Sequence, residues 1–271
     1  MDNIIKMDFY RLVTSKSFKV SLLIVAFLSF ISKLITKGIY DLVSSLSETV
    51  AGDPELEGSI PALAPYPDTV ELSGMLCSPF GYTILIVLCL IIAVGFAYSD
   101  IANGFIKNIA GQLPSKGYTV ISKFVVISIL NGFYMISALI SSVLGEAVIR
   151  KVVIDSAVPQ GICTFFLKYL LLQALCTIIL FFAAGIKQKT AATVVGVVLG
   201  SGLLGLAYMG LNMLVNTVFK TDSFNVNEYA PDSLLISGGN ITALNALIVS
   251  GVIIAVFLPL TVKIFNKTDV K

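Results

Sequence analysis

Residues 79–98 read PFGYTILIVLCLIIAVGFAY, twenty residues without a charge. At about 1.5 Å rise per residue, a helix of this length spans the ~30 Å hydrocarbon core of a bilayer. The apolar run is continuous, not alternating, so it suits a helix and not the dyad pattern of a barrel strand. In lipid every backbone N–H and C=O must be satisfied within the protein, which a helix does alone.

Similar stretches lie on either side, at 18–40, 123–149, 163–186, 191–219 and 242–265. Together they predict an all-α polytopic membrane protein of six transmembrane helices, with residues 1–271 forming one transmembrane domain. Composition agrees: 56% of the 271 residues are hydrophobic, 13% are charged, and mean hydropathy is +0.94. A soluble domain carries about 25% charged residues. At half that, the chain could not cover its surface in water, which excludes a soluble enzyme.

Histidine is absent, which excludes imidazole general bases, Ser–His and Cys–His nucleophiles and the usual zinc sites. Tryptophan is absent too, so the interface belt relies on Tyr and Phe. None of Cys77, Cys89, Cys163 and Cys176 forms a CxxC pair. Cys89 and Cys176 fall in mid-span and read as small buried hydrophobes. Cys77 and Cys163 fall near one face, and spacing alone leaves their pairing open.

Residues 1–17 carry Ile5, Phe9 and Leu12 at helical spacing, with Lys6, Arg11 and Lys16 interleaved. This predicts an interfacial amphipathic helix. A signal peptide fits poorly, because the charged region is long, contains Asp2 and Asp8, and precedes no small-residue cleavage site. Residues 41–78 are the longest polar stretch. Val43, Leu46 and Val50 keep helical spacing there, before Pro54, Pro61, Pro65 and Pro67 interrupt it.

Orientation follows from Lys and Arg. With the N-terminus inside, Lys6, Arg11, Lys16, Lys19, Lys107, Lys116, Lys123, Lys187, Lys189, Lys263, Lys267 and Lys271 are cytoplasmic. Lys33, Lys37, Arg150, Lys151, Lys168 and Lys220 are outside, half as many. The positive-inside rule then places both termini in the cytoplasm of a multi-pass protein of the bacterial cell membrane, and 41–78 becomes an extracellular loop.

No G-x-x-x-x-G-K-[ST] phosphate loop is present; GQLPSKG at 111–117 fails the pattern. ATP-driven work would therefore need an engine on another polypeptide. The segment 99–123 is the most informative: Asp100 closes a span, Gly104 allows a turn, Phe105, Ile106 and Ile109 form a short amphipathic piece, and Pro114 ends it. Physically this is a short helix along the membrane, held on two helical levers, on which a soluble partner could push.

Here the chain resembles the permease subunits of type-2 ABC exporters, of the small six-span kind linked to export of, or immunity to, antimicrobial, lantibiotic-like or other amphipathic peptides. Asp100, Gly104, Ile106, Lys107, Pro114, Ser115, Lys116 and Lys123 occupy positions matching the family's loop between spans two and three. Asp100 stands where Glu is commoner and Phe105 where Thr is. The opening stretches Met7–Leu12 and Ser15–Phe18 look like the family's interfacial helix. The connection 220–240, with Pro231, looks like the site of its re-entrant helices. The resemblance implies a dimer of permeases, either two copies or one copy with a homologous permease. Two ATP-binding cassette subunits would dock beneath, with ATP and Mg on those partners and no cofactor in this chain. It implies that Asp100, Gly104, Phe105, Lys107, Pro114 and Lys116 form the coupling helix. Read without it, the same segment is a generic solvated connection.

Lys33, Asn131, Gln173, Asn212 and Asn216 are candidate pathway-lining residues, because polar groups within spans are functional candidates. Each also has a plain structural reading. Lys33 and Lys168 can snorkel, Glu146 and Arg150 can pair at i, i+4, and an Asn or Gln bridge between helices is worth only about 0.6 kcal/mol. Ala192, Gly196 and Gly200 form a small-residue stripe that suits close packing within one bundle, or a dimer seam. The leading expectation is an ATP-driven exporter of an amphipathic substrate, a peptide, in contact with membrane lipid and not nucleic acid, and not itself an enzyme. The alternatives are a secondary transporter and a membrane immunity or sensor component that moves nothing.

Overall fold

The computed structural model describes residues 2–51, 66–78, 83–102, 115–186, 188–219, 225–237 and 242–267. In chain order these form α1 (Asp2–Thr14), α2 (Lys16–Ala51), β1 (Thr69–Glu71), α3 (Leu72–Cys77), α4 (Thr83–Ala102), α5 (Gly117–Ile149), β2 (Lys151–Val153), α6 (Val158–Ile186), α7 (Lys189–Gly200), α8 (Leu204–Phe219), a 3-10 turn (Val226–Glu228), α9 (Pro231–Ile236) and α10 (Ala243–Lys267). Among the described residues the protein is all-α apart from one pair of three-residue strands.

Among the described residues four helices are long and apolar enough to cross a membrane: α2, α5, α6 and α10. A fifth crossing forms if α7 and α8, bent by 62° at the intervening break, count as one. The apolar piece Ile84–Tyr98 of α4 is shorter, and residues 79–82 of the span expected over 79–98 lie outside the described residues. The chain is thus a multi-pass membrane protein by its helices.

Three boundaries differ from the sequence reading, each for a local reason. Ser15 separates α1 from α2: its amide and hydroxyl donate to Leu12 O, and its Oγ accepts from the Phe18 amide. One serine therefore ends a helix and N-caps the next. Past 40, α2 continues to Ala51, because the spacing of Val43, Leu46 and Val50 carries the helix on. Within the run 191–219 the helix breaks at residues 201–203, where Gly202 adopts φ +73° and a side chain would be strained.

The core is organised around α6. Leu171, Leu172, Leu175, Cys176 and Ile179 are buried among α4, α5 and α10, together with Leu90, Ala93, Ile127, Leu130 and Ala246. The small-residue stripe packs within the chain. Ala192 is buried, and Gly196 meets Leu90 and Ile179. A Cβ on Gly200 would lie 3.0 Å from Val87 Cα, so α7 and α4 touch backbone to backbone. Outward faces are apolar, including Leu23 and Phe27 on α2, Leu206 and Met213 on α8, and Ile248 and Val252 on α10. Patches of this extent are stable where lipid is the solvent.

The strands join two connections. β1 pairs in parallel with β2, Val70 opposite Val152, which puts the ends of 41–78 and 150–162 on one side of the bundle. Asp155 reinforces the junction, accepting from the Ser73 amide at 3.1 Å and the Ala157 amide at 3.1 Å. Hydrogen bonds from Ser73 foremost hold its carboxyl below the ordinary value. Cys77 and Cys163 are both free thiols.

Candidate functional site

The candidate coupling residues lie where α4 stops and α5 begins. Asp100 falls in the last turn of α4 and Lys116 is the N-cap residue of α5. Gly104, Phe105, Lys107 and Pro114 lie outside the described residues, as does the Asp100 side chain.

The two helix ends that carry this segment are pinned to the bundle. Lys123, almost fully buried one and a half turns into α5, donates to Phe96 O at 3.0 Å and sits 4.4 Å from the centre of the Phe96 ring. It thereby ties α5 to the final turns of α4. On the other flank, Asn266 Oδ1 accepts from the Gly117 amide at 2.8 Å and from Ser115 Oγ at 3.0 Å, tying the start of α5 to the end of α10. Gly117 permits this contact, since a Cβ there would fall 2.6 Å from Val262 Cγ1. The neighbouring Ser122 donates to Asp8 Oδ2 at 2.6 Å, so α1 is fastened to the same turn. Asp8, which the sequence offered only as a charge, is buried there and also faces Arg11 at 3.8 Å.

The candidate pathway residues separate into three groups, and no hydrogen bond among the described residues joins one group to another. Asn131 on α5 donates to Gln173 Oε1 on α6 at 2.9 Å, and Gln173 donates back to Phe124 O at 3.2 Å. Cys176 lies 3.3 Å from Asn131 Nδ2. Both amides are buried in the core of the chain, where they bridge two helices. Lys33 on α2 approaches Glu146 Oε1 at 3.6 Å, and Arg150 Nε donates to Glu146 Oε2 at 2.6 Å. Two cations thus share one buried carboxylate, and the Arg150 guanidinium stacks over Tyr66 at 4.9 Å. Asn212 on α8 anchors the following turn: it donates to Asn225 Oδ1 at 3.0 Å and accepts from the Val226 amide at 2.8 Å. Asn216, one turn on, has a buried Oδ1 that meets no hydrogen-bond donor among the described residues.

Two buried ionisable groups form contacts that spacing could not reveal. Lys168 is 2% exposed, and its Nζ donates to Ser237 O at 2.5 Å, just past α9. Asp232 on α9 is 2% exposed; its Oδ1 accepts from Tyr208 at 2.8 Å, while Oδ2 has no hydrogen-bond partner among the described residues. Tyr208, Asn212 and Asn216 recur every fourth residue, so all three stand on one face of α8. That periodicity was the available signal. Among the described residues no group of three His, Cys, Asp or Glu side chains could hold a metal ion.

Compared with family models and with curated proteins, the chain matches none.

Proposed function

We propose that the chain is the transmembrane subunit of an ATP-driven ABC exporter, moving an amphipathic peptide outward under the drive of a separate ATP-binding subunit. The reading rests on the resemblance of 100–123 to the coupling loop of such permeases. The observation that carries it is the pinning of both flanks of 103–114. A load applied to that segment reaches α4 and α5 through Lys123, α10 through Asn266, and α1 through the Asp8–Ser122 bond. A solvated connection with no mechanical role needs no such set of ties.

In this reading α4, with residues 79–82, is the second of six spans, and both termini are cytoplasmic. The short pieces Val226–Glu228 and Pro231–Ile236 stand where re-entrant helices belong. Two permeases and two ATP-binding subunits make the particle, with ATP and Mg on the latter. The mostly apolar spans and the absence of a charged central cluster among the described residues argue against ions or sugars and favour an amphipathic cargo.

Co-purification tests the proposal. The chain, expressed with its genomic neighbours and extracted in mild detergent, should carry an ATP-binding subunit in roughly equal amount. Gly104→Pro should leave expression and assembly intact while abolishing substrate-stimulated ATP hydrolysis. Transport by the purified chain alone, without any ATPase, would overturn the proposal.

A further inference from the structure

α2 runs for 36 residues, Lys16–Ala51. At ~1.5 Å per residue that is about 54 Å, against a hydrocarbon core of ~30 Å. Its outer turns therefore stand in water, as Asp41, Ser44, Ser45, Ser47 and Glu48 indicate. Apolar side chains nevertheless recur there. Ile35, Ile39, Leu42 and Leu46 are each more than half exposed. Their intervals of four, three and four residues are those of a coiled-coil seam. Lipid covers such a stripe within the bilayer but not beyond it, where an exposed apolar patch marks a contact surface.

The residues around the stripe select its partner. With Ile39 and Leu46 at a, and Ile35 and Leu42 at d, the flanking e and g positions are Thr36, Gly38, Val43 and Ser45, none of them charged. Lys33, Lys37, Asp41 and Glu48 all fall at b, c or f, away from the seam. Charged e and g residues tune a helix to a different partner or set it against an identical one. With neutral flanks, two copies of the seam meet without like charges opposed. The bundle occupies the other side of the helix, where Tyr40 packs on Tyr66 at 4.9 Å between ring centres and Lys33 approaches Glu146. A Cβ on Gly38 meets nothing within 4 Å, so the edge of the seam is open to a second backbone. Orientation follows from the membrane. Two copies inserted the same way are related by a two-fold axis along the membrane normal, which sets their α2 helices parallel and in register. Val20, Ile24 and Phe27 continue the exposed face toward the N-terminus of α2, which lengthens the surface a second copy can cover.

We propose that the outer turns of α2 pair in parallel with α2 of a second copy of this chain, Ile39 facing Ile39, Leu42 facing Leu42 and Leu46 facing Leu46. The inference rests on the pairing of permeases in the proposed function and names an identical copy as the partner; it needs neither the ATPase nor the cargo.

Cysteine scanning in membranes tests it. In the full chain carrying Cys77→Ser and Cys163→Ser, the single substitutions Ile39→Cys, Leu42→Cys and Leu46→Cys should, on mild oxidation, shift the chain to a band of twice its mass that reverts on reduction. Asp41→Cys and Ser44→Cys, on the same turns but off the seam, should stay at the monomer mass. None of these five side chains is buried, so none is needed for the core. Native mass spectrometry of the unsubstituted chain, which depends on no variant, should show the dimer. A dimer by mass without crosslinks at the seam overturns the inference and leaves the pairing of permeases in place. A monomer by mass without crosslinks, the result if residues 52–65 of the same chain cover the stripe, overturns the identical-copy pairing as well. Equal crosslinking on and off the seam also overturns the inference. Neither assay reads the ATPase, so failure of the export reading leaves these outcomes unchanged.

Discussion

Replacing Gly200 with alanine separates close packing within the chain from every other reading of the small-residue stripe. The new Cβ would sit 3.0 Å from Val87 Cα and 3.1 Å from Val87 N. Ordinary carbon contacts lie near 3.5–4.0 Å. Backbone atoms cannot rotate away as a side-chain tip can, so α7 and α4 must part by roughly half an ångström or more. Overpacking of this kind costs about 1–3 kcal/mol. Gly200 is the last residue of α7, so alanine recovers only about half of the ~1 kcal/mol of a helix interior, leaving a net loss of roughly 0.5–2.5 kcal/mol. Gly251 on α10 provides the matched control, because a Cβ there meets nothing within 4 Å. Gly251→Ala should be neutral or stabilising by up to about 1 kcal/mol. Thermal unfolding of the purified protein in one detergent should therefore move the two variants in opposite directions. Equal melting temperatures for Gly200→Ala and Gly251→Ala would refute the α4–α7 contact and return the stripe to a seam between copies.

Glu146→Gln should destabilise the protein by about 2 kcal/mol in the same assay, below the ~3–5 kcal/mol of a fully buried pair because Lys33 and Arg150 keep some solvent access; adding Arg150→Gln should recover part of that loss. Lys168→Met should hold or raise the melting temperature, since a desolvated ammonium with one carbonyl acceptor among the described residues costs more than a methionine in its place; a lower melting temperature would contradict this. Asp155 has its carboxyl held below its ordinary value, chiefly by hydrogen bonds from Ser73. Its contribution is therefore complete above that value and lost as pH falls through the lowered one. The stability advantage of wild type over Asp155→Asn should be level at neutral pH and vanish in strong acid.

Long apolar runs made α2, α5, α6 and α10 legible in the sequence, because lipid demands uninterrupted helices of at least a minimum length. The extension of α2 to Ala51 was visible in its helical spacing, and the i, i+4 pair Glu146–Arg150 in its charges. Other features depended on tertiary contacts that spacing does not encode. β1 and β2 are three residues each, too short for periodicity, and exist because two distant connections meet. The break at Gly202 hides in a stretch whose glycines read equally well as a packing stripe. Asn131 and Gln173 were identifiable as polar residues in spans, but not as partners of each other across α5 and α6. Lys33 was read as a snorkelling group, and its approach to Glu146 needed the crossing of α2 over α5. The segment proposed for coupling was singled out by its sequence, while the structure contributes the anchors at its two ends.

Photo-crosslinking tests the central claim most directly. A photoreactive phenylalanine analogue at Phe105, activated in intact membranes, should capture a protein that carries a phosphate-loop motif and hydrolyses ATP. The same analogue at Ile154, beyond the far end of α5, should not. Capture of that ATPase from Ile154 instead of Phe105, or no ATPase from either position in membranes that transport the substrate, would contradict the account.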